Sequence, residues 1–315
     1  MSKFLLTGGA GFIGSNLARR VLAAGHDVVV FDNFSTGFRE NLAEIQSDLR
    51  LLEGDVRDIE AISAAADGCD GIFHLAALGS VPRSIDDPRS CMEINVLGTL
   101  NVLEAARKKN IPRVVYSASS SAYGNCPVSP KTESLLSCPL SPYACSKLAG
   151  EGLMQAWHTS YGLETISLRY FNVFGPRQNP RGDYAAVIPA FATALLNGHP
   201  PVVYGDGEQT RDFCFIDNVT SANLLAMAAP ANECNGQPMN IACGCETSLN
   251  SMLTLLKRLL ACEIRQVYKP PRPGDVAHSR ADIRLAHDKI GYQPLVFFEQ
   301  GLERTLDYYR AIAGK

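Results

Sequence analysis

The feature that most constrains this chain is a glycine-rich loop that directly follows a short apolar run near the N-terminus. Residues 4–6 are apolar, residues 8–14 contain four glycines, and Leu17, Val21 and Leu22 then follow at helical spacing. This order predicts a strand, a tight turn and a helix, as in the first unit of a parallel sheet. Glycines in such a turn let the backbone approach a pyrophosphate at the helix N-terminus, so the loop predicts a dinucleotide site.

The spacing of the glycines and a later acidic residue refine this prediction. Gly9, Gly11 and Gly14 satisfy G-x-G-x-x-G, and Gly8, Gly11 and Gly14 form a second pattern with three-residue spacing. The next apolar run ends in Asp32, eighteen residues after Gly14. A carboxylate there accepts hydrogen bonds from an adenosine ribose and repels a 2′-phosphate, so Asp32 favours NAD over NADP.

Strands and helices alternate through the first half of the chain. We predict strands at 4–7, 28–32, 49–53, 71–75, 113–117 and 165–169, and a long helix from about 88 to 109. This alternation predicts an α/β fold, a doubly wound parallel Rossmann sheet with a smaller α/β substrate-binding domain. From Gly175 onward prolines become frequent. The change predicts an NAD-binding domain at 1–172, with part of 206–243, and a mainly substrate-binding domain at 173–315.

Composition and charge argue against several classes of protein. The 315 residues carry a net charge of −3, which gives no broad basic surface for nucleic acid. No apolar run reaches the roughly 18 residues that span a bilayer, and the N-terminus has no signal-peptide pattern. The ten cysteines form no C-x-x-C pair, and Cys243 and Cys245 have no second cluster. We therefore expect a cytoplasmic protein without a metal site, a disulfide framework or a membrane partner.

A tyrosine and a lysine four residues apart, Tyr143 and Lys147, follow a run of three serines, residues 119–121. Four residues make about one helical turn, so the phenol and the ammonium share one helix face. A cation held close favours the phenolate and lets it take a proton near neutral pH. The set predicts a proton-transfer site for an alcohol, although the same spacing also occurs in solvated surface pairs.

Small or polar residues fall at the predicted strand ends, where ligands gather in sheets of this kind. Asp55 and Val56 follow the third strand, where they are expected to flank an adenine, and residues 75–77 follow the fourth. Residues 75–77 either leave room for a cofactor or pack in the core without a binding role. Asn95 lies in the predicted long helix, where a solvent-facing or capping amide is the alternative to a binding role.

Three arginines, Arg177, Arg211 and Arg272, are scattered through the second half of the chain. Their forked guanidinium groups suit the two phosphates of a nucleotide. Each, taken singly, also fits a surface or interdomain ion pair.

Taken together, these motifs resemble the extended short-chain dehydrogenase/reductase family, and within it the nucleotide-sugar 4-epimerases. The match covers nearly the whole chain, in the segments 7–14, 32–33, 55–56, 74–77, 95–99, 119–124, 141–147, 169–173 and 211–212. The resemblance implies tightly bound NAD, a UDP-sugar substrate, a 4-keto intermediate, a homodimer and a place in polysaccharide biosynthesis.

The resemblance also implies a set of site residues. The catalytic residues are Ser119, Tyr143 and Lys147. The cofactor-binding residues are Gly8, Gly11, Phe12, Ile13, Gly14, Asp32, Asn33, Ser35, Thr36, Gly37, Asp55, Val56, Leu75, Ala76, Ala77, Asn95, Ser117, Tyr143, Lys147 and Tyr170. The substrate-binding residues are Ser80, Arg83, Ser119, Ser120, Ser121, Asn172, Val187, Tyr204, Arg211, Arg272, Asp275 and Ser279.

Two activities of the same family are disfavoured by the residues beside Ser119. The 4,6-dehydratases of the family carry a sequence similar to Thr-Asp-Glu-x-Tyr-Gly at this place, and the UDP-glucuronate decarboxylases carry a glutamate there. This chain has Ser120 and Ser121 instead. Without an acid, elimination of water and decarboxylation are poorly supported, whereas epimerisation needs only one base and a reversible hydride acceptor.

Ser279 bears on the choice of sugar. In the family that this chain resembles, glucose-restricted bacterial epimerases carry a tyrosine at the matching position, and this tyrosine closes the sugar pocket. Enzymes that accept N-acetylated sugars carry a small residue there. With the segments 78–84 and 212–219, Ser279 resembles the branch that interconverts UDP-N-acetylglucosamine and UDP-N-acetylgalactosamine. A UDP-glucuronate epimerase, a glucose-restricted UDP-galactose 4-epimerase and a non-catalytic NAD-sensing protein of the same fold remain as alternatives.

Overall fold

The computed structural model describes residues 1–180, 186–271 and 278–313. Its strands are β1 (Lys3–Thr7), β2 (Asp27–Asp32), β3 (Arg50–Glu53), β4 (Gly71–His74), β5 (Arg113–Ser119), β6 (Glu164–Tyr170), β7 (Val173–Phe174), β8 (Val202–Tyr204), β9 (Thr210–Arg211), β10 (Cys214–Phe215), β11 (Asn235–Ile241), β12 (Thr247–Ser248) and β13 (Val267–Lys269). Its α-helices are α1 (Phe12–Ala23), α2 (Ile59–Ala65), α3 (Val81–Asp86), α4 (Pro88–Met92), α5 (Gly98–Lys108), α6 (Pro142–Tyr161), α7 (Val187–Leu196), α8 (Ile216–Ala228), α9 (Leu249–Leu260), α10 (Arg284–Ile290) and α11 (Phe298–Ala313).

Seven parallel strands form the central sheet, in the order β11-β6-β5-β4-β1-β2-β3. Helices α1 and α8 pack together over one face of the sheet, while α2, α5 and α6 pack over the other. Apolar side chains that alternate between the two faces therefore fill two separate core layers. The predicted α/β fold with a doubly wound parallel sheet is confirmed, and all six predicted strands lie in it.

The sequence prediction missed the seventh strand, β11. Its residues include Gly236 and Pro238, which are typical of turns, and the pairing with β6 is irregular between Asn235 and Pro238. The strand lies at the edge of the sheet and pairs with β6 alone, so a residue without an N–H group is tolerated there. The second half of the chain thus completes the sheet that the first half begins.

The predicted helix at 88–109 forms, but its middle is not α-helical. A π-helical segment, Glu93–Leu97, joins α4 to α5. Asn95 lies inside this segment and is only 1% exposed, which makes a solvent-facing position for its amide wrong. Single π-turns within α-helices often occur at functional sites because they turn one side chain out of the regular helical register.

A buried ion pair fastens α6 to β6. The Nε and Nη2 groups of Arg169, in β6, donate to the two carboxylate oxygens of Glu151, in α6, at 2.8 and 2.7 Å, and the two side chains are 4% and 6% exposed. The guanidinium also lies 4.7 Å from the ring centre of Tyr123. Glu151 follows Lys147 by one helical turn, so the Arg169–Glu151 ion pair fixes the position of the predicted proton-transfer residues relative to the sheet.

None of the described helices combines the length and the apolar character needed to cross a lipid bilayer.

We expect Glu151→Gln to lower the free energy of unfolding by about 3 kcal/mol, because it leaves the Arg169 charge buried without a counter-ion. Arg89→Ala is the control, since Arg89 is 88% exposed in its pair with Glu93 and such pairs contribute about 0.5 kcal/mol or less. Urea denaturation of both variants measures the difference. Equal, small losses in the two variants would contradict this account of the ion pair.

Candidate functional site

A cavity of about 730 Å³ opens at the carboxyl ends of β1, β2, β3, β4 and β5. Ligands of doubly wound sheets bind at this edge. Sixteen of the residues predicted above line it: Gly8, Gly11, Phe12, Ile13, Gly14, Asp32, Asn33, Ser35, Thr36, Val56, Leu75, Ala76, Ala77, Ser80, Arg83 and Ser117. Residues from the predicted cofactor set and from the predicted substrate set therefore share one continuous space.

The glycine turn at the head of the cavity leaves no room for side chains. A Cβ atom on Gly14 would lie 2.2 Å from the carbonyl oxygen of Gly8, and one on Gly8 would lie 2.7 Å from the backbone nitrogen of Ala76. Gly8 also has a φ of +70°, which L side chains rarely adopt. Gly11 precedes α1 without a side-chain cap, so the first N–H groups of this helix lack a side-chain acceptor. Close backbone and uncapped N–H groups fit the diphosphate of NAD.

Asp32 closes the far end of the glycine turn. Its two carboxylate oxygens accept the backbone N–H groups of Ala10 and Phe34, at 2.9 and 2.8 Å. Burial raises the pKa of Asp32, and these two hydrogen bonds partly offset the rise. Each oxygen keeps a lone pair for a further donor, as a ribose diol requires.

The wall beyond Asp32 contains an arginine that the sequence prediction missed. Arg57 lines the cavity and donates to Asp55 through its side chain at 3.0 and 2.7 Å. Asn33 donates to the same carboxylate at 2.9 Å, and the Arg57 contact holds the pKa of Asp55 at about 2. Asn33 and Arg57 line the cavity and therefore lie between it and Asp55. No motif flagged Arg57, because a single arginine two residues after an aspartate carries no pattern.

Six predicted cofactor residues lie outside the cavity wall: Gly37, Asp55, Asn95, Tyr143, Lys147 and Tyr170. Tyr170 exchanges hydrogen bonds with Asn223 of α8, and burial raises its pKa to about 12. The Asn95 amide accepts the N–H of Leu78 at 2.7 Å and donates to the hydroxyl of Ser146 at 2.8 Å. Asn95 thus ties the cavity loop at Leu78 to helix α6.

A buried histidine, to which the sequence prediction assigned no role, supports the loop after β4. Thr99 donates to the carbonyl of Asn95 at 2.6 Å, so its oxygen is free to accept from Nε2 of His74 at 2.9 Å. The Nδ1 atom of His74 then accepts from the hydroxyl of Thr7 at 2.7 Å, and that hydroxyl accepts the N–H of Ala76. Burial lowers the pKa of His74 to about 3. The ring is therefore neutral, with its proton on Nε2.

The predicted proton-transfer residues meet beside the cavity. Ser119 ends β5, and its hydroxyl accepts from the hydroxyl and the N–H of Ser121 at 2.8 and 3.2 Å. The Ser119 hydroxyl lies close enough to Tyr143 to lower the pKa of the phenol. The ammonium of Lys147 donates to the carbonyl of Ser117 at 2.7 Å, and Ser117 lies in the cavity wall. Helix α6 thus places Tyr143 and Lys147 against the end of β5.

The expected effect of Lys147 on the pKa of Tyr143 is not observed in the protein alone. Burial raises the pKa of Tyr143 above its usual value, and the hydrogen bond from Ser119 lowers it only in part. Burial also lowers the pKa of Lys147, to about 8. The ammonium is directed at the Ser117 carbonyl rather than at the phenol, so desolvation outweighs the attraction.

A serine from α3 anchors the tyrosine backbone. Ser141 and Pro142 begin α6, and Ser141 accepts the N–H of Ala144 at 3.1 Å. The N–H of Tyr143 is accepted instead by the hydroxyl of Ser84, which is fully buried. Ser80, which lines the cavity, caps helix α3, so this bond connects the predicted substrate wall to Tyr143.

The other predicted substrate residues lie on several elements. Ser120 and Ser121 lie in the 3₁₀ turn after β5, and Val187 begins α7. Asn172 follows β6 and donates to the carbonyl of Asp212 at 3.2 Å. Tyr204 ends β8, and half-buried Arg211 ends β9. Arg272 and Asp275 lie outside the described residues.

Half-buried Ser279 lies in a segment that runs alongside β9. Its neighbour His278 shares a hydrogen bond with Thr210 at 3.0 Å, and the N–H of Ala281 donates to Asp212 at 3.1 Å. Because these two contacts join the segment to the residues on either side of Arg211, half-buried Ser279 is held alongside Arg211. Arg177, by contrast, bonds to Asn16 and Glu44 near α1, which agrees with its alternative as an ion-pair residue.

Asp212 joins three segments around this region. Its carboxylate, which is fully buried, accepts the N–H groups of Cys243, Gly244 and Ala281 at 2.9, 3.0 and 3.1 Å. Burial raises the pKa of Asp212 to about 6, although these N–H groups favour the ionised form. Asp212 lies in the segments 211–212 and 212–219 that carry the resemblance, but the sequence prediction assigned it no role.

Comparison with known proteins places these features in a family. The model of the NAD dependent epimerase/dehydratase family matches residues 4–242. A UDP-glucose 4-epimerase from Mycolicibacterium smegmatis is 39% identical over 310 residues, which is 97% of this chain and 98% of that protein.

Two solved structures are similar over their full lengths. The UDP-N-acetylglucosamine 4-epimerase of Methanobrevibacter ruminantium, in complex with UDP-N-acetylmuramic acid, is 38% identical with a TM-score of 0.93. The UDP-glucose 4-epimerase of Thermotoga maritima, with UDP-glucose, is 36% identical with a TM-score of 0.94. Each comparison covers 99% of this chain and 99% of the other.

We expect the stability of the protein to depend on the ionisation of Asp212. Folding raises the pKa of this carboxyl from an unfolded value near 3.9 to about 6. Its contribution to the stability of the folded protein is therefore complete below pH ~4 and is lost as the pH rises through about 6. Asp212→Asn, which stays neutral, should lack this dependence. Thermal unfolding between pH 4 and 7.5 measures it, and parallel curves for both proteins would contradict the prediction.

Proposed function

Because the chain belongs to the NAD dependent epimerase/dehydratase family, we propose that it is a UDP-sugar 4-epimerase that interconverts UDP-N-acetylglucosamine and UDP-N-acetylgalactosamine. The observation that carries the choice of sugar is the small, half-buried side chain of Ser279 at the level of Arg211. The similar Methanobrevibacter enzyme, named for the acetylated sugar, supports this choice. The similar Mycolicibacterium and Thermotoga enzymes are named for UDP-glucose and support turnover of the non-acetylated pair as a second activity.

The glycine turn, Asp32 and the wall residues at 75–77 hold NAD in the cavity. When bound, NAD would supply a reversible hydride acceptor and a positive charge. A positive charge near Tyr143 would offset the burial that raises the pKa of the phenol in the protein alone. Since a net epimerisation regenerates the cofactor in every cycle, NAD stays tightly bound.

Tyr143 acts as the base and then as the acid. Its phenolate removes the proton of the sugar 4-hydroxyl while C4 loses a hydride, so the substrate becomes a 4-keto sugar. Ser119, held by Ser121 at 2.8 Å, hydrogen-bonds the sugar oxygen. The keto sugar turns about its bond to the diphosphate, C4 regains the hydride on its other face, and Tyr143 returns the proton to the oxygen.

The serine turn favours epimerisation over the other reactions of the family. Ser120 and Ser121 offer hydroxyl groups where elimination of water requires a carboxylic acid. The hydroxyl of Ser121 is directed at Ser119 and has no proton to deliver to the C6 side of a sugar. A 4-keto intermediate in this site therefore returns to an alcohol.

The remaining assignments extend the same proposal. Asn172, Arg211, Arg272 and Asp275 bind the UDP part, with Val187 and Tyr204 beside it. Residues 1–172 with part of 206–243 form the NAD-binding domain, and 173–315 form most of the UDP-sugar domain. The chain works in the cytoplasm as a homodimer, in polysaccharide biosynthesis.

Incubation of the purified protein with UDP-N-acetylglucosamine, without added cofactor, should give the galacto-configured product. The anomeric proton signals in NMR spectra follow the reaction, and UDP-glucose in a parallel sample tests the second activity. Reaction of UDP-glucose alone would leave the chemistry in place and overturn the choice of sugar. Reaction of neither would direct the test to UDP-glucuronate and then to the non-catalytic NAD-sensing alternative.

Tyr143→Phe should lower kcat at least about a thousandfold, since it removes the only proton-transfer group proposed for the 4-hydroxyl. NAD should remain bound, because the glycine turn and Asp32 are unchanged. The same NMR assay gives kcat, and release of NAD on denaturation gives the bound fraction. Turnover at the wild-type rate would remove Tyr143 from the mechanism.

Ser279→Tyr should reduce kcat/KM for UDP-N-acetylglucosamine by at least about tenfold and leave UDP-glucose nearly unchanged, because a bulky ring fills space that an acetamido group needs. Ser279→Ala is the matched control and should keep both activities. An equal loss on both sugars in Ser279→Tyr would argue that the residue does not select the substrate.

A further inference from the structure

The environment of the Lys147 ammonium contains an aromatic face. The Nζ atom lies 4.9 Å from the ring centre of Tyr116, the residue in β5 that precedes Ser117. Lys147 is only 3% exposed, and none of the ion pairs found among the described residues includes it. Its polar contact is the Ser117 carbonyl at 2.7 Å. A buried ammonium with a single hydrogen bond gains further stabilisation from the negative face of a ring.

Two features show that the ring is kept in place at a cost. The hydroxyl of Tyr116 is buried and makes no hydrogen bond of acceptable geometry to a described residue, although Thr99 lies near enough to lower its pKa. Such an arrangement is unfavourable in a folded protein. Gly150, one turn after Ser146 in α6, makes room for it: a Cβ atom there would lie 2.2 Å from the Tyr116 oxygen. The chain therefore accommodates this ring against α6 without using its hydroxyl.

The other neighbours of Lys147 leave the ring face to this ammonium. The ring centre of His74 lies 5.6 Å from that of Tyr116, and its pKa of about 3 keeps it neutral. Cys91 of α4 is fully buried, and burial raises its pKa, so it stays a thiol. Glu151 is engaged by Arg169. Tyr143 is a further titratable group near the ring of Tyr116.

We propose that the ring of Tyr116 is a positioning element of the reaction, whose face holds the Lys147 ammonium in its charged form beside Tyr143. The proposal rests on the proposed function for the role of Tyr143. Lys147 is then held from two directions, by the Ser117 carbonyl and by the ring. The aromatic character of residue 116 matters, and its hydroxyl does not.

The test compares Tyr116→Leu, which removes the ring, with Tyr116→Phe, which keeps it and removes the unpartnered hydroxyl. Lysine labelled with ¹³C at Cε gives nine NMR signals, and the one absent in Lys147→Met belongs to Lys147. The wild-type protein and Tyr116→Phe should show this signal shifted upfield by the ring, with a pKa near 8. In Tyr116→Leu the upfield shift should vanish and the pKa should fall by about one unit.

Turnover gives a second readout. The alkaline limb of the kcat profile should move down by about one pH unit in Tyr116→Leu, so that kcat at pH 8 falls roughly fivefold while KM is unchanged. Tyr116→Phe should match the wild type. Gly150→Ala, whose new methyl group displaces the ring, should repeat the Tyr116→Leu result if that variant fails to fold.

An unchanged or raised pKa of Lys147 in the ring-lacking variants would overturn the proposal, as would a loss in Tyr116→Phe equal to that in Tyr116→Leu. The labelled-lysine titration needs no substrate. A protein that is inactive on every UDP sugar but shows the predicted lysine shifts would therefore contradict the proposed function and leave the role of the ring intact.

Discussion

Helix α6 is held to the sheet by two buried cations, and the geometry of the site depends on these contacts. Arg169 reaches from β6 to Glu151, while Lys147 reaches from the helix to the Ser117 carbonyl in β5. Charges are costly to bury, and each is tolerated here because a directed partner meets it. The two contacts lie one helical turn apart, so the helix can neither slide along the sheet nor rotate without breaking one of them.

A second set of contacts fixes the position of the segments beside the cavity relative to α6. Asn95, in its π-turn, connects the loop at Leu78 with Ser146, and Ser84 accepts the N–H of Tyr143. Neutral His74 supports the floor of the cavity without adding a positive charge near Lys147. The predicted cofactor wall, the predicted substrate wall and the phenol are thus connected by short, buried hydrogen bonds, and few of these are made by residues that touch the cavity.

The sequence predicted the fold and the cavity wall because both depend on local patterns. Glycine spacing, apolar runs and the acid at Asp32 identified the first strands, and sixteen predicted residues line one cavity. The roles of the supporting residues escaped prediction for a physical reason. His74, Ser84, Tyr116 and Asp212 act through partners far away in sequence, so that the three of them that lie in matching segments were assigned no role. Arg57 contacts Asp55, only two residues away, but belongs to no motif. The raised pKa of Tyr143 in the protein alone was not anticipated, because spacing indicates a shared helix face but not burial.

The edge strand β11 has a consequence for synthesis of the chain on the ribosome. Strand β6 is complete once Tyr170 has emerged, but its outer row of N–H and C=O groups has no partner until Asn235–Ile241 follows. During that interval the nascent chain presents an open sheet edge, the kind of surface on which strands of other molecules add. Slow translation or truncation between these two points should therefore favour aggregation, whereas an interruption after Ile241 leaves the edge covered.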